Sequence, residues 1–132
     1  MKIIVAGTGF VGLTHAAVCS EYGHEVYAYD IDEKKLNAYR SGEAEQINHY
    51  VNEPGLAEII AENKDRYLFF SSDLEGIIEG TDAIFLCLPT PPNVDGSSDL
   101  SFYFKAVDHI CTLLAKRADT RRIVLINKST VP

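Results

Sequence analysis

A short apolar run, Ile3-Ile4-Val5-Ala6, passes directly into Gly7-Thr8-Gly9-Phe10-Val11-Gly12. This reads as a first β-strand running into a glycine-rich turn that opens a helix. A GxGxxG hexapeptide is a weak signal by itself. Here a strand precedes it, a helical stretch follows, and an acid, Asp30, ends a second apolar run, which is the context a dinucleotide site requires. Each glycine has a physical task. Gly7 permits the tight turn, Gly9 leaves room for a pyrophosphate against the backbone, and Gly12 lets the helix pack closely on the strand. The helix opening at Phe10 and Val11 directs unpaired N–H groups and its positive dipole end at the phosphates. The competing reading is a tight strand–helix turn in some other α/β protein, which the preceding strand and the acid at the right distance disfavour.

Asp30 lies eighteen residues beyond Gly12 and closes the segment Glu25-Val26-Tyr27-Ala28-Tyr29. That is close to the spacing of the carboxylate that accepts hydrogen bonds from the adenosine ribose. A carboxylate there accepts from the 2′- and 3′-hydroxyls of NAD and repels the 2′-phosphate of NADP, so the expected cofactor is NAD. The alternative task, capping the next helix, suits Asp32 better, with Glu33 behind it in the first turn. Lys34 and Lys35 add positive charge nearby, and spacing alone does not separate a cofactor contact from solvated helix surface.

Further along, strand and helix signals alternate. Strands are predicted at Lys2–Ala6, Glu25–Asp30, Arg66–Ser71, Ala83–Leu88 and Arg122–Asn127. Helices are predicted at Phe10–Tyr22, Asp32–Ser41, Leu56–Asn63 and Ser101–Lys116, with a short one capped by Ser72 or Asp73. Periodicity fails from Glu43 to Glu53, which reads as a surface excursion punctuated by Pro54-Gly55. The last helix should bury Phe104, Val107, Ile110, Cys111 and Leu114. This rhythm specifies a Rossmann-type, doubly wound parallel sheet in three α/β/α layers, a single domain over 1–132, with strand order 3-2-1-4-5. In that order the loops leaving strands one and four, Gly7–Gly12 and Pro89–Asp99, flank the switch point where such sheets bind ligands.

A net charge of −7 argues against nucleic acid or anionic membranes as partners, because phosphates would be repelled overall. No apolar stretch approaches the ~20 residues of a transmembrane helix. Met1-Lys2 leads straight into a strand, so no signal peptide is expected. Cys19, Cys87 and Cys111 are odd in number and set in apolar segments, as expected of buried, reduced thiols in a cytoplasmic protein.

Six ordered segments add to this picture: Gly7–Leu13, Asp30-Ile31-Asp32, Glu53-Pro54-Gly55-Leu56, Leu88-Pro89-Thr90-Pro91, Asp95–Ser101 and Lys128-Ser129-Thr130-Val131-Pro132. Together they resemble the amino-terminal domain of the UDP-glucose/GDP-mannose dehydrogenases along the whole chain. The likeness is greatest to the UDP-glucose 6-dehydrogenase branch, towards which Asp95–Ser101 leans weakly. The resemblance implies an enzyme that oxidises C6 of a nucleotide sugar twice, with two NAD per turnover and no metal. It implies that Val11 offers a backbone contact, Asp30 the ribose acid and Lys35 a neighbouring cofactor contact. Pro89 and Thr90 would line the cofactor site, and Thr130 would sit where cofactor, substrate and an ordered water meet. Without the family, Thr90 reads as a turn residue and Thr130 as a helix cap.

The resemblance also implies what is missing. The family's catalytic cysteine and its assisting lysine and aspartate belong to a later, substrate-binding domain, so this chain is expected to be a truncated fragment that binds NAD without turnover. In the intact protein a homodimer is expected. Cys19, Cys87 and Cys111, on a helix, inside a strand and on a helix core face, are expected to be inert. His15 and Cys19 stand i, i+4 but lack further ligands for a metal. His24, His49 and His109 show no spacing that suggests acid–base work. Two functional classes remain: the cofactor half of a nucleotide-sugar dehydrogenase, for which UDP-N-acetylmannosamine and GDP-mannose are competing substrates, and a non-catalytic module that senses NAD.

Overall fold

A computed structural model describes residues 1–130. Five strands, β1 (Lys2–Ala6), β2 (Glu25–Tyr29), β3 (Leu68–Ser71), β4 (Ala83–Leu86) and β5 (Val124–Asn127), form one sheet. Their order is β3-β2-β1-β4-β5 and every pairing is parallel. The order matches the expected doubly wound sheet, with β1 at its centre. Alternation along β1 divides the core: Ile3 and Val5 face one side, Ile4 and Ala6 the other. On the first side lie α1 (Phe10–Glu21), α2 (Glu33–Ser41), α3 (Ala44–Tyr50) and α4 (Leu56–Asn63). On the second lie α5 (Leu74–Ile77) and α6 (Ser101–Lys116).

Local chemistry sets the element ends. Asp32 caps α2 by accepting from the Lys35 N–H at 3.2 Å, and Gly42, at φ +69°, closes it in the left-handed conformation. Asp73, rather than Ser72, caps α5 through the Gly76 N–H at 3.1 Å.

Three expectations are corrected. The stretch from Glu43 to Glu53 contains α3, which a single fully buried side chain, Ile47, anchors between α2 and α4. Burying one such residue contributes about 1.5–3 kcal/mol, yet one anchor in seven residues leaves no readable period. Strand β4 stops at Leu86, so Cys87 and Leu88 belong to the loop at the sheet's carboxyl edge. On α6 the buried stripe runs through Tyr103, Val107, Ile110, Leu113 and Leu114. Phe104 and Cys111 sit about 100° round the helix from it and are exposed, which also removes Cys111 from the buried thiols.

Candidate functional site: a cleft at the carboxyl edge of the sheet

The loops leaving β1, β2, β4 and β5 converge with the first turns of α6 on a cleft of about 770 Å³. It is lined by Gly7, Gly9, Phe10, Val11 and Gly12, by Asp30 and Lys35, by Pro89 and Thr90, and by Thr130, whereas Lys34 lies in a separate groove on α2 and α3. The cleft's charge is opposite to that of the chain. Lys35, Lys105 and Lys128 line it against one carboxylate, Asp30, whereas the whole chain carries −7.

One wall is the β1–α1 turn. Gly7 adopts φ +98°, and a Cβ there would overlap the Cys87 carbonyl oxygen, so both backbone conformation and space demand glycine. A Cβ on Gly9 would meet nothing within 4 Å, which leaves the cleft open above the backbone at that point. At Gly12 a Cβ would overlap the Gly7 carbonyl oxygen, directly after β1, and stand 3.1 Å from Cys87 Cβ, directly after β4, so the close approach of α1 to these strand ends forbids a side chain. Helix α1 has no side-chain cap and no acid in its first turn, so its N-terminal N–H groups and dipole face the cleft uncompensated.

Asp30 stands across the turn with its side chain 11% exposed. Its Oδ2 accepts from the Thr8 hydroxyl at 2.7 Å, the Thr8 N–H at 3.0 Å and the Lys35 ammonium at 3.1 Å. Among the described residues its Oδ1 accepts only from the Asp32 N–H, at 3.0 Å, and keeps acceptor capacity. Burial would push this carboxyl up. The hydrogen bonds from Asp32 and Thr8, with the charge of Lys35, outweigh burial and hold it below the usual carboxylate range. Asp30 is therefore ionised and oriented at neutral pH.

The far wall is made by the β4 and β5 loops. Ser129 donates its hydroxyl to the Leu86 carbonyl at 3.2 Å and accepts from the Leu88 N–H at 2.8 Å. It thereby ties the segment bearing Thr130 to the end of β4. Cys87 is half-buried in the cleft wall rather than inside a strand; burial pushes its thiol up, against the opposing charge of Lys128. His15 Nε2 and Cys19 Sγ stand 3.6 Å apart, and burial lowers the His15 imidazole and raises the Cys19 thiol. Among the described residues no three His, Cys, Asp or Glu side chains converge as a metal site.

Several cleft residues carry no role in the sequence reading, which names His109 only as lacking a partner spacing. Thr8, fully buried, donates twice to Asp30 while its carbonyl accepts from Tyr39. Phe102, Lys105, Ala106 and His109 turn one face of α6 to the cleft. Their spacing of i, i+3, i+4 and i+7 was a readable signal, but the helix had been phased on its core stripe alone.

The profile of the UDP-glucose/GDP-mannose dehydrogenase family, NAD binding domain, matches residues 1–132. The chain belongs to this family. The domain matched is the one that binds NAD, and the cleft fits that cofactor: open backbone at Gly9, an uncapped helix N-terminus and an ionised acid with a free acceptor lobe. The chain is 38% identical to the UDP-glucose 6-dehydrogenase AglM of Haloferax volcanii over 99% of its own length and 29% of that protein. A UDP-glucose dehydrogenase structure from Pyrobaculum islandicum superposes with a TM-score of 0.84 at 33% identity, covering 99% of this chain and 29% of that one. A GDP-mannose dehydrogenase from Pseudomonas aeruginosa gives 0.79 at 27% identity, with the same coverage. The chain thus spans under a third of the length of these relatives. Among the described residues no helix is long and apolar enough to cross a membrane.

Proposed function

We infer that this chain holds NAD for an enzyme that oxidises the C6 hydroxyl of UDP-glucose to the carboxylate, reducing two NAD and consuming one water. The observation that carries the reading is the meeting of the Gly7–Gly12 turn with the ionised Asp30 in one cleft. In this reading the N–H groups of Gly9, Phe10, Val11 and Gly12 receive the pyrophosphate, whose charge the α1 dipole favours. Asp30 Oδ1 accepts from the adenosine ribose, and Lys35 holds the other carboxylate oxygen in place. Pro89 and Thr90 flank the cofactor, and Thr130 stands where nicotinamide and sugar meet. The bound cofactor supplies the hydride acceptor, while this chain binds and orients it.

The thiolate and the groups that hold the sugar belong to a further domain. Those groups would hold the sugar against the bound cofactor, which would supply the hydride acceptor, and orientation of that kind can supply ~7–11 kcal/mol of the barrier. The reading places the enzyme in the cytoplasm, where its thiols stay reduced, as a homodimer when joined to its substrate domain. UDP-glucose is preferred over GDP-mannose and UDP-N-acetylmannosamine because the Asp95–Ser101 segment leans to that branch. The test is the intact protein with NAD and each of the three nucleotide sugars, followed by NADH absorbance. Two NADH per UDP-glucose, with slower turnover of the others, is expected. Preference for another sugar overturns the substrate, and no turnover of any favours an NAD-sensing module.

A further inference from the structure

Tyr39 carries no signature that sets it apart in the sequence, yet it is the largest fully buried side chain among the described residues. Its ring centroid lies 5.7 Å from that of Phe70 and 6.0 Å from that of Tyr50. A phenol so deeply buried needs a hydrogen-bond partner. It finds one in the glycine turn, thirty-one residues earlier, where its hydroxyl donates to the Thr8 carbonyl at 2.8 Å.

That bond completes a symmetrical restraint. The Gly7–Thr8 peptide is held by its N–H, which donates to Asp30 Oδ2 at 3.0 Å. The Thr8–Gly9 peptide is held by its carbonyl, on Tyr39. In a planar trans peptide the C=O and N–H point in opposite directions. Drawing the Thr8 carbonyl into the core therefore turns the Gly9 N–H the other way, to the side where Gly9 lines the cleft and a Cβ would meet nothing. Gly9 cannot resist rotation of this peptide by itself, because it has no side chain to restrict it. Without Tyr39's hydroxyl, the Thr8 carbonyl gains by rotating outwards to water, and the Gly9 N–H turns inwards with it.

We propose that Tyr39 is a positioning residue for the dinucleotide: its hydroxyl, acting through the Thr8 carbonyl, aims the Gly9 N–H at the pyrophosphate. The proposal rests on the cleft being the NAD site. It ties α2 to the phosphate loop and adds to the ribose acid a second link between the two halves of the recognition surface.

The test titrates the chain, labelled with ¹⁵N-glycine, with ADP, adenosine and NAD, alongside Tyr39→Phe and Leu36→Val. Leu36 is fully buried on α2 but makes no bond to the turn, so its variant reports general loosening of the helix. Tyr39→Phe is expected to weaken ADP and NAD about 2–12-fold, the loss of one hydrogen bond's worth of preset geometry, to leave adenosine unchanged, and to shrink the Gly9 amide shift on ADP binding. Leu36→Val should lower thermal stability and leave ADP affinity unchanged. Equal ADP binding by Tyr39→Phe, or equal weakening by both variants, overturns the proposal. Absence of ADP and NAD binding by the unmodified chain instead overturns the reading of the cleft. Should Tyr39→Phe not fold, the unmodified chain decides. Its Tyr39 hydroxyl proton must resist exchange with solvent and its Gly9 amide must shift on adding ADP, and failure of either overturns the proposal.

Discussion

Replacing Asp30 by alanine removes an acceptor that four donors share, so its cost divides into a folding part and a binding part. The donors are the Thr8 N–H and hydroxyl, the Asp32 N–H and the Lys35 ammonium. Asp32 and Lys35 can turn to water. Thr8 is fully buried and cannot be rehydrated unless the turn moves. Two buried donors left unsatisfied cost about 1–3 kcal/mol each before relaxation, so a stability loss of about 2–4 kcal/mol is expected from urea denaturation. The binding part is the lost bond from ribose to a charged acceptor, ~1.5–3 kcal/mol, or roughly 10–150-fold in the Kd of NAD by isothermal titration. The same change frees Lys35 to meet a 2′-phosphate, so the preference for NAD over NADP should narrow or reverse. Unchanged NAD affinity and an unchanged NAD/NADP ratio in folded Asp30→Ala would refute the assignment of Asp30 to the ribose. The acid's low native pKa adds a pH signature. Its contribution to stability is complete above the unfolded value of about 3.9 and is lost as pH falls below that towards the lower folded value. The wild type should therefore lose stability more steeply than Asp30→Ala as pH falls below about 3.9.

Gly9→Val should keep its circular dichroism spectrum and abolish detectable NAD binding, since the added carbons enter only cleft space. Gly12→Ala should weaken both fold and binding, because its Cβ overlaps the Gly7 carbonyl oxygen and the turn must shift, at a cost of about 1–3 kcal/mol by chemical denaturation. In thiol labelling followed by mass spectrometry, Cys111 should react first, and NAD should protect Cys87, which lines the cleft, but not Cys111. The purified chain should show no NADH formation with UDP-glucose at any concentration. Turnover that disappears in Cys87→Ser would contradict the placement of catalysis in a further domain.

The strand order was legible because each strand carries an apolar run and a helical stretch separates each strand from the next. The glycine turn and Asp30 were legible because dinucleotide recognition fixes residue types at fixed spacing. Helix α3 was not, since Ile47 alone among its seven residues is buried and no second apolar residue follows it at helical spacing on the same face. The phase of α6 was misread because Phe104 and Cys111 are as apolar as the residues that do face the sheet, and only tertiary packing chooses between the two stripes. The end of β4 was overrun for a similar reason: Cys87 and Leu88 continue the apolar run but turn into the cleft wall. Thr8 and Tyr39 lay beyond sequence reasoning altogether. Their bond joins a loop to a helix thirty-one residues away, and neither residue type announces the partner.

The central claim is that the cleft between the Gly7–Gly12 turn, Asp30 and the β4 and β5 loops is where NAD binds. A titration of the ¹⁵N-labelled chain with NAD and with NADP, read amide by amide, tests it most directly. The account predicts saturable NAD binding with shifts concentrated at Gly7 to Gly12, Asp30, Thr90 and Thr130, and NADP weaker by roughly tenfold or more. Shifts centred elsewhere, such as the shallow groove of Lys34, Gln46 and Tyr50 on α2 and α3, or NADP bound as tightly as NAD, would contradict it.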